Sequence, residues 1–166
     1  MFLPFEKMPS YSRLWIYQSD KELTDSEVLI ITTILTNFIE NWQAHGNSLI
    51  ASFQIRHHRF LILAVNEELT KTTGCSIDKS VEVMKAIENE FKVSLFDRTK
   101  VAYFDAENKI TTAALSKLKE LVYEQKITSD TIIFDNLVQV KEQLDSEWQS
   151  RASNTWLKRY FQNVAS

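Results

Sequence analysis

The segment TTGCSIDKS, residues 72–80, holds the residues whose types and spacing are best suited to chemistry. Cys75 is the only cysteine of the chain. A thiol at the start of a helix is favoured as the thiolate by unpaired backbone amides and by the helix dipole. Gly74, Ser76 and Asp78 accompany it on the same predicted turn. The pattern predicts either a nucleophilic thiol or a helix start whose amides hold an anion.

Each of these residues also has a purely structural interpretation. Free cysteine is among the most buried residue types, so we favour Cys75 as a core residue over a catalytic one. Ser76 is the predicted helix cap, because its hydroxyl can accept from the unpaired amides of the first turn. Asp78 on the same turn opposes thiolate formation. A reactive Cys75 would therefore need a cation or base from elsewhere in the fold.

Basic residues that could serve as that partner lie outside this segment. His45 precedes Gly46 at the predicted end of a helix, where the dipole favours a positive charge. The stretch RHHR, residues 56–59, predicts a hairpin tip that contacts phosphates or is simply solvated. The histidines and the cysteine lack any recognised metal-ligand spacing, so we expect no metal site. We also expect no cofactor. The candidate catalytic residues are Cys75, His45 and Asp78. The candidate ligand-binding residues are Gly74, Cys75, Ser76, Asp78, Arg56 and His57.

The composition excludes the common nucleotide-binding loops. The chain has two glycines, Gly46 and Gly74, in 166 residues. A P-loop needs two glycines separated by four residues, and a Rossmann turn needs three close together, so neither can form. A net charge of −3 gives no general attraction to nucleic acid. With a single cysteine and no apolar run long enough to span a bilayer, the chain is expected to be cytoplasmic.

The first part of the chain alternates strand and helix patterns. RLWIYQS predicts a strand, and Thr24 and Glu27 then have the spacing of a capping box that begins a helix ending at Gly46. Residues 48–67 predict two strands joined at RHHR, and a second helix follows from Ser76. With KVAYF (100–104) as the next strand, the order β-α-β-β-α-β predicts a ferredoxin-like α+β sandwich with an antiparallel sheet.

The second part predicts a smaller α+β unit. VAYFDAENKITTAAL predicts a hairpin that turns at Ala106, Glu107 and Asn108, and a short helix is predicted from Ser116. TIIFDNLV predicts a strand or an extended segment. Two helical stretches, QVKEQLDSEWQ and NTWLKRYFQ, follow. We expect one domain over residues 1–99 and a second over residues 100–166, packed together because no linker rich in Pro, Gly or Ser separates them.

The chain from residue 13 to about 161 resembles a family of small, uncharacterised bacterial proteins. The stretches that carry the likeness are RLWIYQSDKELTDSEV, AHG, RFLILAVNEE, GCSIDKSV, LFDRTKVAYFD and NTWLKRYF. Members often carry the label "ABC transporter ATPase", which implies a Walker A loop. The two glycines forbid that loop, so we do not expect a P-loop ATPase. The chain has Asn66 where the family pattern has Asp, which puts any role for a carboxylate there in doubt.

Residues 110–134, ITTAALSKLKELVYEQKITSDTIIF, are similar to the hairpin-helix-strand core of GYF-like domains. Those domains bind proline-rich peptides on an aromatic surface, although their Gly-Tyr-Phe signature is missing here. The resemblance implies a small interaction module and carries no site residue with it.

Two functions follow as expectations. The first is a non-enzymatic binding or adaptor protein that contacts a protein partner, or a second copy of itself, through the sheet or the helix Trp156–Phe161. The alternative is a small cysteine-centred enzyme or anionic-ligand sensor at Gly74–Asp78. Nucleic acid is the least favoured partner, because the chain is acidic overall.

Overall fold

The computed structural model describes residues 1–162 and contains both helices and antiparallel sheets. The predicted α+β class is therefore confirmed. The chain divides into two compact units. The first unit comprises residues 1–96 and 139–142, and the second comprises residues 97–138 and those from 143 onward.

The first unit is built on a three-stranded antiparallel sheet. Its strands are β1 (Arg13–Gln18), β4 (Ile50–Arg56) and β5 (Phe60–Asn66), and a short hairpin of β2 (Gln43–Ala44) and β3 (Asn47–Ser48) precedes β4. Strand β5 lies between β1 and β4. All its side chains through Val65 are fully buried. Burial on both faces of the sheet explains why this strand is the apolar run FLILAV.

Two helices, α1 (Asp25–Glu40) and α2 (Gly74–Phe91), complete the core of the first unit. The predicted capping box at the start of α1 is present: Thr24 accepts from the amide of Glu27, whose carboxylate accepts from the amide of Thr24. Side chains from both helices and from β5 form one buried cluster, and these include Ile31, Leu35, Ile39, Met84, Ile87, Leu61, Leu63 and Val65.

The fourth strand expected of a ferredoxin-like sandwich lies elsewhere. Lys100–Phe104 forms strand β6, but it pairs within the sheet of the second unit. In the first unit, the amide of Leu14 on the outer edge of β1 donates to the carbonyl of Gln139 over 2.8 Å. The amide of Lys141 donates to the carbonyl of Ser12 at the same distance. A local pattern predicts that a strand forms but not which edge it joins, so the ferredoxin-like order is not confirmed.

The predicted end of α1 is wrong. The helix ends at Glu40 with Asn41 as its C-cap. His45 and Gly46 instead form the two-residue loop of the β2–β3 hairpin, with φ values of 51° and 77°. A helix C-cap and a tight hairpin both place glycine at positive φ, so Gly46 alone does not distinguish them.

The turn predicted at RHHR is present. The amide of Arg59 donates to the carbonyl of Arg56 over 3.1 Å. The two residues between them, His57 and His58, both have positive φ, at 56° and 53°. Paired positive φ values match the right-handed twist of the flanking strands, although Asn and Gly adopt them at lower cost than histidine. The carbonyl of His58 accepts from the amide of Leu23, which fixes the tip beside the start of α1.

The second unit has a four-stranded antiparallel sheet in the order β7-β6-β8-β9. Strand β7 is Ile110–Ala114, β8 is Ile132–Phe134 and β9 is Gln149–Arg151, while helix α3 (Leu118–Tyr123) lies between β7 and β8 in the chain. The predicted succession of hairpin, helix and strand is therefore present. Likeness to a GYF-like unit stays a prediction.

The last part of the described chain is more irregular than predicted. Helix α4 covers only Lys141–Ser146, and Trp156–Tyr160 forms a short 3-10 helix whose start is capped by the hydroxyl of Thr155. Leu157 is fully buried in the core of the second unit. Over residues 1–162, no helix is both long and apolar enough to cross a lipid bilayer.

Candidate functional site

The first turn of α2 is closed by its own side chains. Thr73, rather than the predicted Ser76, is the N-cap: its hydroxyl accepts from the amide of Ser76 over 3.1 Å. The hydroxyl of Ser76 in turn accepts from the amide of Thr73 over 2.7 Å and donates to its carbonyl over 2.9 Å. This reciprocal pair is a capping box, so the Ser76 amide and hydroxyl are already engaged with Thr73.

Cys75 is exposed, which overturns our preference for a core cysteine. It occupies the second residue of α2, on the outside of a turn whose buried residue is Ser76. Gly74 and Asp78 are exposed beside it. Within residues 1–162 the side chains of Cys75 and Asp78 form no hydrogen bond or ion pair with the protein. The structure thus presents an accessible thiol without a base or cation bound to it.

His45 lies in the β2–β3 hairpin. The residue before that hairpin, Trp42, donates its indole Nε1–H to the carbonyl of Ser76 over 2.8 Å, which fixes the hairpin against the first turn of α2. No hydrogen bond joins His45 to Cys75 in the described part of the chain. The only geometric support for catalysis by His45 and Cys75 is that the β2–β3 hairpin packs against the first turn of α2.

Arg56 and His57 lie at the far end of β5 from the start of α2. The tip at His57 adjoins Phe60, where β5 begins. Thr72, just before α2, accepts a hydrogen bond from Arg13, which pairs with Val65 at the other end of β5. At about 3.3 Å per residue, those ends are roughly 20 Å apart. Burial and the neighbouring Arg56 guanidinium lower the pKa of His57, and Arg56 donates to Gln54. The predicted ligand-binding residues therefore form two separate groups.

A polar cluster that sequence reasoning missed lies where β5 ends. Tyr11 donates its hydroxyl to Glu68 over 2.7 Å, a hydrogen bond that raises the pKa of Tyr11. Glu67 accepts from the amide and hydroxyl of Thr72 and lies 3.6 Å from Arg13. Burial alone would raise the pKa of Glu67, but these contacts outweigh it and lower the pKa. The cluster lines a cavity of about 460 Å³ and is internally paired.

The second unit carries a larger, mainly apolar groove of about 650 Å³. Its side chains come from the end of α3, the loop that follows and the last described residues; they include Val122, Tyr123, Ile127, Tyr160 and Phe161, with Lys119 among the polar ones. Tyr123 is 89% exposed. An aromatic side chain this exposed beside other partly exposed aromatics is typical of a binding surface.

Local backbone geometry builds the groove. Helix α3 ends at Tyr123, and Gln125 takes a positive φ of 60°, so the chain reverses and buries Ile127. The amides of Lys126 and Ile127 both donate to the carbonyl of Leu121. This tight helix end leaves Tyr123 pointing away from the core. The sequence signal was weak, because SKLKELVYEQ places Tyr123 outside the apolar spacing of the buried Leu118.

Comparisons of the chain with protein-family models, with curated proteins and with solved structures find no match. Over residues 1–162, no group of three or more His, Cys, Asp or Glu side chains is placed to hold a metal ion. Among the described residues, the exposed thiol at α2 and the aromatic groove of the second unit are the surfaces we consider further.

Proposed function

We propose that this protein is a non-enzymatic binding protein whose second unit holds an extended, proline-rich protein segment in the aromatic groove. The observation that carries the proposal is the 89% exposure of Tyr123 beside the partly exposed rings of Tyr160 and Phe161. Proline-rich segments are already extended when free, so they lose little entropy on docking against aromatic side chains. The resemblance of residues 110–134 to GYF-like domains, which stays a prediction, would imply the same class of ligand.

The alternative, a cysteine-centred enzyme or anionic-ligand sensor at Gly74–Asp78, has less support. An anion at a helix start needs free amides, and the Ser76 amide is held by the hydroxyl of Thr73. A thiol nucleophile needs a base within hydrogen-bond reach. In the described part of the chain, Cys75 has no such contact.

Fluorescence anisotropy with a labelled proline-rich peptide tests the proposal. We expect binding to the full chain, and we expect Tyr123→Ala to weaken it at least about tenfold, or about 1.4 kcal/mol, because an exposed aromatic anchor is lost. The matched control is Leu137→Ala. Leu137 is 67% exposed in the same unit but lines a different cavity, so its removal should leave the affinity unchanged.

A control peptide of equal length and charge in which other residues replace the prolines should bind more weakly than the proline-rich peptide. Absence of binding at about 1 mM peptide, equivalent to about −4 kcal/mol, would overturn the proposal. Equal losses for Tyr123→Ala and Leu137→Ala would also overturn it, because the effect would then not come from the groove. Both side chains are exposed, so neither variant should unfold the protein.

A further inference from the structure

Cationic side chains beside the groove form no ion pair with a carboxylate of residues 1–162. Lys119 lines it, and within residues 1–162 its ammonium group forms no ion pair or hydrogen bond. The guanidinium of Arg159 lies 5.0 Å from the ring centroid of Tyr160 and donates to that residue's hydroxyl over 3.1 Å. It also lies 5.5 Å from the ring centroid of Trp156. Arg159 is thus held beside a ring that lines the groove.

The carboxylates of helix α3 and of the residue that follows it are engaged elsewhere. Glu120 pairs with Lys117 at 3.6 Å, and Glu124 pairs with Lys126 at 3.1 Å. In the described part of the chain, neither carboxylate pairs with Lys119. Lys119 and Arg159 are therefore two cations beside the groove that no carboxylate of the described residues pairs with.

We propose that the groove selects acidic segments, in which carboxylates on either side of an apolar, proline-containing core meet Lys119 and Arg159. This inference rests on the proposed function and adds the charge of the partner to it. The aromatic rings supply contact area to the core of the ligand, and the two cations discriminate by charge. Guanidinium groups suit carboxylates especially well, because their fork of donors matches the two carboxylate oxygens.

An acidic protein segment fits better than nucleic acid. Binding to a phosphate backbone draws on a run of lysines and arginines, each neutralising one phosphate. Here Lys119 lines an apolar groove and Arg159 lies against one of its rings, in a chain whose net charge is −3. A ligand with an apolar core and carboxylates at its ends would match both the groove and the cations beside it.

The experiment compares three labelled peptides that share one Pro-Leu-Pro core and are flanked by glutamate, glutamine or lysine. They are titrated against the full chain at low and high salt. We expect the order glutamate, glutamine, lysine in falling affinity, with the differences reduced by salt. Lys119→Gln and Arg159→Gln should each weaken the glutamate peptide about two- to fivefold, the range of an exposed ion pair, and leave the glutamine peptide unchanged.

Lys158→Gln is the matched control, because Lys158 is an exposed cation of the same unit that lines a different cavity. Equal affinity for the glutamate and glutamine peptides, or an equal effect of Lys158→Gln, would overturn the charge selection while leaving peptide binding intact. Failure of all three peptides would overturn the proposed function itself. Displacement of the glutamate peptide by an oligonucleotide, or self-association of the protein through the groove, would overturn the assignment of the partner.

Discussion

At the scale of single residues, two buried hydroxyl groups stand out because the protein gives them no partner. Ser12 and Ser52 are both fully buried, and within residues 1–162 their Oγ atoms form no hydrogen bond. A buried hydroxyl without a partner costs about 1–3 kcal/mol. We expect Ser52→Ala to raise the free energy of unfolding by about 1 kcal/mol, measured by denaturant titration.

Ser19→Ala is the control for that prediction. Ser19 is equally buried, but its hydroxyl donates to the carbonyl of Lys21 over 2.7 Å and accepts from the amide of Lys21. Its removal should lower the free energy of unfolding by about 1 kcal/mol. If Ser52→Ala destabilises as much as Ser19→Ala does, then the Ser52 hydroxyl has a partner after all, and the prediction fails.

At the scale of elements, the capping box of α1 couples stability to pH. The hydrogen bond from the Thr24 amide lowers the pKa of Glu27 in the folded protein. The ionised carboxylate therefore stabilises the fold above the ordinary glutamate pKa of about 4.3. That contribution is lost as the pH falls through the lowered pKa. We expect Glu27→Gln to be less stable than the parent at pH 7, with the difference vanishing in acid.

Urea titrations between pH 2 and 7 measure this difference. Glu82→Gln is the matched control, because Glu82 is exposed on α2 and has no partner in the described part of the chain. Its substitution should give no pH-dependent difference. The prediction fails if the difference in free energy of unfolding between Glu27→Gln and the parent stays constant from neutral to acidic pH. The carboxylate charge would then not support the cap.

Local sequence patterns predicted where helices and strands form better than they predicted which strands pair with one another. The Thr24 and Glu27 spacing predicted the start of α1 because a capping box involves only four neighbouring residues. Gly46 was misassigned because one backbone conformation serves both helix ends and tight turns. The sheet joined by Lys100–Phe104 and the aromatic groove depend on residues far apart in sequence. Tyr123 and Tyr160 line the same groove only after folding, so no spacing pattern could have revealed it.

At the scale of the whole molecule, a contact across most of the chain closes the first unit. Lys141 donates its ammonium group to the carbonyl of Met8 over 2.8 Å, and it lies 5.4 Å from the ring centroid of Phe5. The two bonded residues are 133 positions apart. Closing so long a loop is entropically costly, so we infer that this contact forms late in folding.

Lys141→Met tests that inference, because methionine keeps an unbranched side chain and removes the charged donor. A hydrogen bond from a charged donor contributes about 1.5–3 kcal/mol, so we expect a loss of about 1–2 kcal/mol at this partly exposed site. A contact absent from the transition state affects mainly the unfolding rate. Stopped-flow measurements should therefore show faster unfolding and unchanged folding. Lys85→Met, which removes an exposed lysine of α2, should change neither rate. Slower folding of Lys141→Met would mean that residues 8 and 141 meet early, and that the first unit assembles around its most distant contact.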